Sequence, residues 1–363
     1  MDERIEAHAE TLADWSARIE RGDDVVLAVA DGAHDLAVAT ARVLGERGAN
    51  LLSLYRSDEI QRAYLRAYDG EFDTDPEYQR ALYEHADSVL FLGGGRNTAA
   101  TADVPGDRLN AYGRARKAIR EARMDTDWVS TVHPTRSLAQ QAGMSLPAYE
   151  EFVYDAVLRD WEALAAEMAD LKEILDEGSE VRLVGERTDL TMSIEGRTAV
   201  NSAASVAYDS HNLPSGEVFT APDSPEGHVT FDVPMTIRGK RVRDVRLTFE
   251  DGVVTDYGAA VNADVIGEVL KTDEGARRLG ELGVGMNRGI DRPTDSILFD
   301  EKMAETVHLA LGRAYDACLP DGESGNDSAV HVDLITNMDE GSRLEVDGEV
   351  IQRDGRFRWE DGF

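Results

Sequence analysis

Four short apolar runs, set between helix-patterned stretches, constrain this chain more than any other feature. DVVLAVA (24–30), NLLSLYR (50–56), DSVLFLGGG (87–95) and WVSTVHP (128–134) each have the length and composition of a strand. The stretch from His34 to Glu46, closed by Gly48, reads as a helix, as do residues 1–22. Strand and helix alternating at this spacing predict a parallel sheet with helices on its faces, an α/β domain over 1–145. Residues 137–176 read as one or two helices, and 146–179 as a helical connector. From about 180 the texture changes to short β runs such as EVRLVG and HVTFDVPMTI. A hairpin turn is expected at Glu250–Gly252, a helix from Asp264 to Leu279, and a closing hairpin at the C-terminus.

Charge narrows the partners. The chain of 363 residues carries a formal charge of -33, which removes the basic footprint that nucleic acid needs. Of 38 basic residues, 33 are arginine; the lysines are Lys117, Lys172, Lys240, Lys271 and Lys302. A charge excess spread along the whole chain suits a cytosol of very high salt, where the Debye length falls to about 3 Å. A special partner for an acidic surface is the competing reading. No apolar run approaches the roughly 20 residues of a membrane helix. MDERIEAHAE lacks a signal-peptide core, and Cys318 is the only cysteine. The expectation is a cytoplasmic protein with no membrane partner.

Chemistry concentrates in the last third. Glu281 lies in glycine-flanked LGELG. His308 lies in an apolar run, with Tyr315 seven residues on; read as a helix, two turns put both on one face. His331 and Asp333 alternate with Val330, Val332 and Leu334, a strand period that points imidazole and carboxylate the same way. Unpaired burial of such groups is expensive, and a divalent cation compensates it. With Glu217, the set Glu281, His308, His331 and Asp333 carries three negative charges and two neutral imidazoles. Two divalent ions and a bridging hydroxide balance that set and suit hydrolysis. Mixed nitrogen and oxygen donors favour zinc, cobalt or manganese, with magnesium also admissible.

Each motif also has a plain structural reading. His-x-Asp arises by chance, His308 and Tyr315 suit a core, Glu281 a helix end, and Glu217 a loop. Gly93–Gly95 after a strand could cradle phosphate, but GGGRNTAA fits neither the dinucleotide nor the P-loop pattern, which favours a sheet-edge turn. His133 reads as a loop residue, and His8, His34, His85, His211 and His228 as structural or surface.

The order of motifs adds what no single motif does. WVSTVHPTRSLAQQAGMS, YEEFVYDAVLRDW, NLPSGEVFTAP, DEGARRLGELG, HLALGRAY and GNDSAVHVD follow one another as they do in the aminopeptidase T family, which this sequence resembles over well over half its length. The resemblance implies that Glu217, Glu281, His308, Tyr315, His331 and Asp333 form or border a two-metal site. It implies an α/β N-terminal domain, an α+β metallopeptidase domain over 180–363, and a homodimer. The expected function is a metal-dependent aminopeptidase hydrolysing the N-terminal bond of peptides through a metal-bound hydroxide. In that scheme Glu281 orients or deprotonates the water, and Tyr315 binds a metal or donates to the oxyanion. The alternatives are another binuclear hydrolase, a dipeptidase or amidohydrolase, and a non-catalytic metal-binding protein.

Overall fold

Strand β1 (Asp24–Ala30) is apolar at nearly every position because it lies inside a sheet, and Val25–Ala28 are fully buried. It pairs in parallel with β2 (Asn50–Arg56) on one side and β3 (Ser88–Gly93) on the other; β3 pairs in parallel with β4 (Asp127–Val132). The short strand Asn212–Leu213 completes a five-stranded parallel sheet on the β4 side. The chain therefore goes outward from β1 to β2, returns across β1, and builds the rest of the sheet in the opposite direction. β2 is an edge strand, which explains why NLLSLYR stays largely exposed despite its apolar residues.

The computed structural model describes residues 2–72, 76–320 and 322–363. The chain divides into two units, Met1–Leu158 with Ala204–Pro214, and Arg159–Ala203 with Ser215–Phe363. The first holds the parallel sheet and its helices. The expected N-terminal helix is Glu3–Glu10, continued by a wider π-helical turn at Thr11–Ser16. The helical stretch after β4 is three helices, Arg136–Gln141, Leu146–Val157 and Trp161–Glu177. Ser145 and Asp160 break it, each accepting a backbone N–H of the helix it starts.

The second unit contains an eight-stranded antiparallel sheet. Its strands run, in spatial order, Val253–Gly258, Val245–Glu250, Asp223–Phe231, Thr188–Ser193, Glu180–Gly185, Arg343–Val346, Glu349–Arg353 and Arg356–Phe357. The turn expected at Glu250–Gly252 joins two of these, and the C-terminal hairpin forms as expected. A second antiparallel sheet carries the residues of interest. It comprises β5 (Val200–Ser202), β6 (Glu217–Thr220), β7 (Leu279–Gly285), β8 (Thr306–Gly312) and β9 (His331–Asn337), in spatial order β9-β8-β7-β6-β5. Helix Trp161–Glu177 packs against β5 and β6.

Two sequence expectations need correction here. The run around His308 is strand β8, not a helix, so His308 and Tyr315 do not share a helical face. A central strand buried on both faces is apolar throughout, which erases the alternation that distinguishes strand from helix. The helix expected from Asp264 to Leu279 covers only Ala263–Val269; the chain then turns and enters β7 at Leu279.

Candidate metal centre

Cross-strand register brings the distant residues together. Glu217 starts β6 opposite Gly285, Gly283 of β7 pairs with His308 of β8, and Glu281 pairs with Ala310. Ala310 in turn pairs with Asp333 of β9, and Gly312 with His331. Since side chains two apart on a strand share a face, all five acidic and imidazole groups project from one side of the sheet. The other side is apolar and buried: Val218, Leu282, Val284, Val307, Leu309 and Leu334.

A bulge decides the side on which Glu281 falls. Leu279 pairs with Leu311 but Glu281 with Ala310, so Gly280 is an extra residue in β7. Regular alternation through Gly280 would put Leu279 and Glu281 on one face; with the bulge, the leucine goes to the apolar side and the carboxylate to the polar one. Small residues then leave room above the strands. A Cβ on Gly283 would lie 2.1 Å from the His308 ring, so only glycine lets that imidazole lie across β7.

The groups are within reach of one another. His308 Nε2 is 2.9 Å from Glu281 Oε1 and 3.6 Å from Glu217 Oε2. His331 Nε2 is 3.3 Å from Asp333 Oδ1 and 3.6 Å from Glu281 Oε2. Ligand atoms of Glu217, Glu281 and His308 all lie within 4.8 Å of one another, as do those of Glu281, His331 and Asp333. Glu281 belongs to both groups. The Arg313 carbonyl lies 2.8 Å from His331 Nδ1 and fixes the ring with Nε2 toward the carboxylates.

Electrostatics fit a cation. Burial raises the Glu281 carboxyl against the opposing pull of His308. Burial also disfavours charge on His331, yet the Asp333 contact, the charges of Asp333 and Glu281 and the Arg313 carbonyl together outweigh that and raise it to about 9. Asp333 is correspondingly lowered: burial pushes it up, but contact with His331 and the charges of His331, His308 and Lys302 together pull it down further. Glu217 Oε2, Glu281 Oε2 and Asp333 Oδ1 are buried oxygens without a hydrogen-bond partner. Such orphaned acceptors in one cluster are costly unless a cation shares them. The donor set therefore fits a divalent ion.

Two further residues border the cluster. Tyr315, 46% exposed, follows β8 with its ring centroid 4.9 Å from that of His331 and 5.8 Å from that of Phe219. Burial, then the charges of Glu281, Asp333 and Glu217, raise its phenol above the usual range. Lys302 was not singled out by sequence. It is fully buried, its Nζ 3.5 Å from Glu217 Oε1, and it also pairs with Glu301. Its one sequence signal is rarity, a lysine in an arginine-rich chain.

Comparison with known proteins now decides the family. The family described as thermophilic metalloprotease (M29) matches residues 1–357. The chain belongs to the M29 metalloprotease family. Aminopeptidase T of Thermus aquaticus is 29% identical, the alignment covering 95% of this chain and 94% of the relative. Aminopeptidase PepS of Streptococcus thermophilus is 27% identical, covering 97% and 95%. The solved structure of wild-type AmpT from Thermus thermophilus superposes with a TM-score of 0.85 at 26% identity, covering 98% of this chain and 99% of that one. M29 membership makes the chain a metal-dependent peptidase, and the resemblance seen in its motifs stands. The α/β architecture is likewise shared with AmpT. Among the described residues, no helix is long and apolar enough to cross a membrane.

Proposed function

We propose that this metallo-aminopeptidase hydrolyses the first peptide bond of peptides with a free N-terminus, using two divalent ions held by Glu217, Glu281, His308, His331 and Asp333. The observation that carries the reading is Glu281, which contributes to both clusters of potential ligands and has a buried, unpartnered oxygen. Ions held there would lower the pKa of a water between them and polarise the scissile carbonyl. Glu217 and His308 serve one side of the cluster, His331 and Asp333 the other. Glu281, lying between them, is placed to orient the attacking water and take its proton. Tyr315 at the rim, its phenol kept protonated, is the donor to the developing oxyanion. The Lys302 ammonium offsets charge on Glu217 and holds that carboxylate in place.

All five proposed ligands fall within 180–363, the expected catalytic stretch, and the reading extends to a cytoplasmic homodimer. Replacing Glu281→Gln should lower kcat/KM by at least about 100-fold and reduce bound metal measured by atomic emission. Tyr315→Phe should cost roughly 100-fold in kcat with metal content unchanged. Full activity in both variants, with metal retained, would refute the roles. Peptides and their N-acetylated counterparts separate aminopeptidase action from other hydrolysis: equal cleavage of the two would exclude an exopeptidase that reads the free amine.

A further inference from the structure

The parallel sheet of the first unit reverses its strand order at β1, with β2 laid down on one side and β3 on the other. In open parallel sheets, ligands bind beyond the C-terminal strand ends at such a reversal. A cavity of about 420 Å³ begins there and runs back over one face of the sheet; its lining includes Asp31, Arg56, Phe91, Gly94, Arg123 and Trp128. We propose that this cavity binds a small phosphate-bearing molecule of up to mononucleotide size.

The arginines carry the argument. In a chain of net charge -33, several arginines of this unit find carboxylates: Arg62 and Arg66 share Asp103, and Arg47 meets Asp14. Among the described residues, Arg56 and Arg123 form no ion pair with a carboxylate. Both guanidiniums rest on the Phe91 ring, at 5.7 and 4.8 Å from its centroid. Arg123 Nε is buried without a hydrogen-bond partner. Burial lowers the Arg123 pKa, and the like charge of Arg56 adds to that effect. Two cations that share one ring and both line the cavity suit a multiply charged anion. The same pair repels a metal ion, which decides against a cation at the nearby Asp31 and Asp58.

The rest of the cavity suits a larger body than a bare ion. The turn after β3 is rigid. Gly94 has φ +121°, and a Cβ there would lie 2.7 Å from the His133 carbonyl. The peptide that follows is tied at both ends: the Gly95 carbonyl accepts from Thr135 and Ser137, and Arg96 N–H donates to Asp31 Oδ1 at 3.0 Å. Trp128 stacks on His211 at 4.5 Å, which sets one wall. Carboxylates at one end would accept from ligand hydroxyls while the guanidiniums hold the phosphate. The glycine run departs from both standard phosphate-loop patterns because side-chain guanidinium replaces the helix-start amides of those loops.

The test is titration calorimetry on the full-length protein at fixed ionic strength, with AMP, inorganic phosphate and adenosine as probes. AMP should bind one per chain, phosphate should compete with it more weakly, and adenosine should bind at least about tenfold more weakly than AMP. Arg56→Gln and Arg123→Gln should each weaken AMP by about tenfold or more, whereas Arg42→Gln, at an exposed helix ion pair, should not. Competition, and a change in tryptophan fluorescence on the unmodified protein that a Trp128→Phe variant loses, keep the test independent of how the arginine variants fold. Absence of saturable AMP and phosphate binding at millimolar concentration, or equal affinity for AMP and adenosine, would overturn the proposal. Phosphate binding as tightly as AMP would overturn the assigned size.

Discussion

At the scale of single residues, the polar cluster depends as much on what is absent from β7 as on what is present. Gly283 leaves the space that the His308 ring fills. Gly283→Ala should push that ring aside, lowering bound metal and reducing kcat/KM by roughly 10- to 100-fold, the usual effect of disturbing a ligand's support. Far-UV circular dichroism should stay unchanged. Full metal content with full activity would show that the ring has another way to fit. His331 and Asp333 were legible in the sequence because β9 is half-exposed at its start and keeps its alternation. His308 was legible as a polar outlier but not as a strand residue, since β8 is buried on both faces. The opposite sides taken by Leu279 and Glu281 were not legible at all, because one extra glycine breaks the alternation of β7 between them. Lys302 gave no usable signal: a buried ammonium and an exposed one look alike in a sequence.

At the scale of elements, the helix Glu3–Glu10 presents His8 to the parallel sheet, where its Nε2 meets Thr131 Oγ1 of β4 at 2.7 Å. Burial, reinforced by His133, holds its pKa down at about 3. The native state thus keeps this imidazole neutral, whereas the unfolded chain protonates it near the ordinary 6.5. Below pH 6.5 the unfolded chain binds the extra proton, so stability falls as pH falls, and the effect saturates near pH 3. Between pH 7.5 and 5.5 the stability gap between the natural protein and a His8→Gln variant should narrow by about 1.4 kcal/mol in guanidinium chloride unfolding. A constant gap would mean that His8 takes up its proton equally readily in the folded and unfolded chain. The strands of the first unit were readable from their runs; the breaks at Ser145 and Asp160 were not, because capping residues are common in any polar stretch.

For the whole molecule, net charge and the buried carboxylates make two separate demands. Self-repulsion at -33 should be relieved by screening, so the thermal midpoint should rise between dilute buffer and molar sodium chloride. A midpoint that is flat or falls with salt would argue against high-salt adaptation. Independently of salt, a chelator should abolish peptidase activity and lower the midpoint, and added zinc, cobalt or manganese should restore both. No change in midpoint on chelation would sink the assignment of the carboxylate–imidazole cluster to metal.

The connectivity has an effect of its own. Residues 204–214 leave the second unit, supply the short strand Asn212–Leu213 to the parallel sheet, and return to begin β6 at Glu217. No single cut therefore separates the two units. A gene ended after residue 158 would encode a sheet lacking its last strand. One begun at residue 159 would encode that strand with no sheet to receive it. A nick by a protease within 204–214 would sever the covalent tether just upstream of Glu217, so a loss confined to the parallel sheet could silence a cluster of groups built elsewhere in the chain.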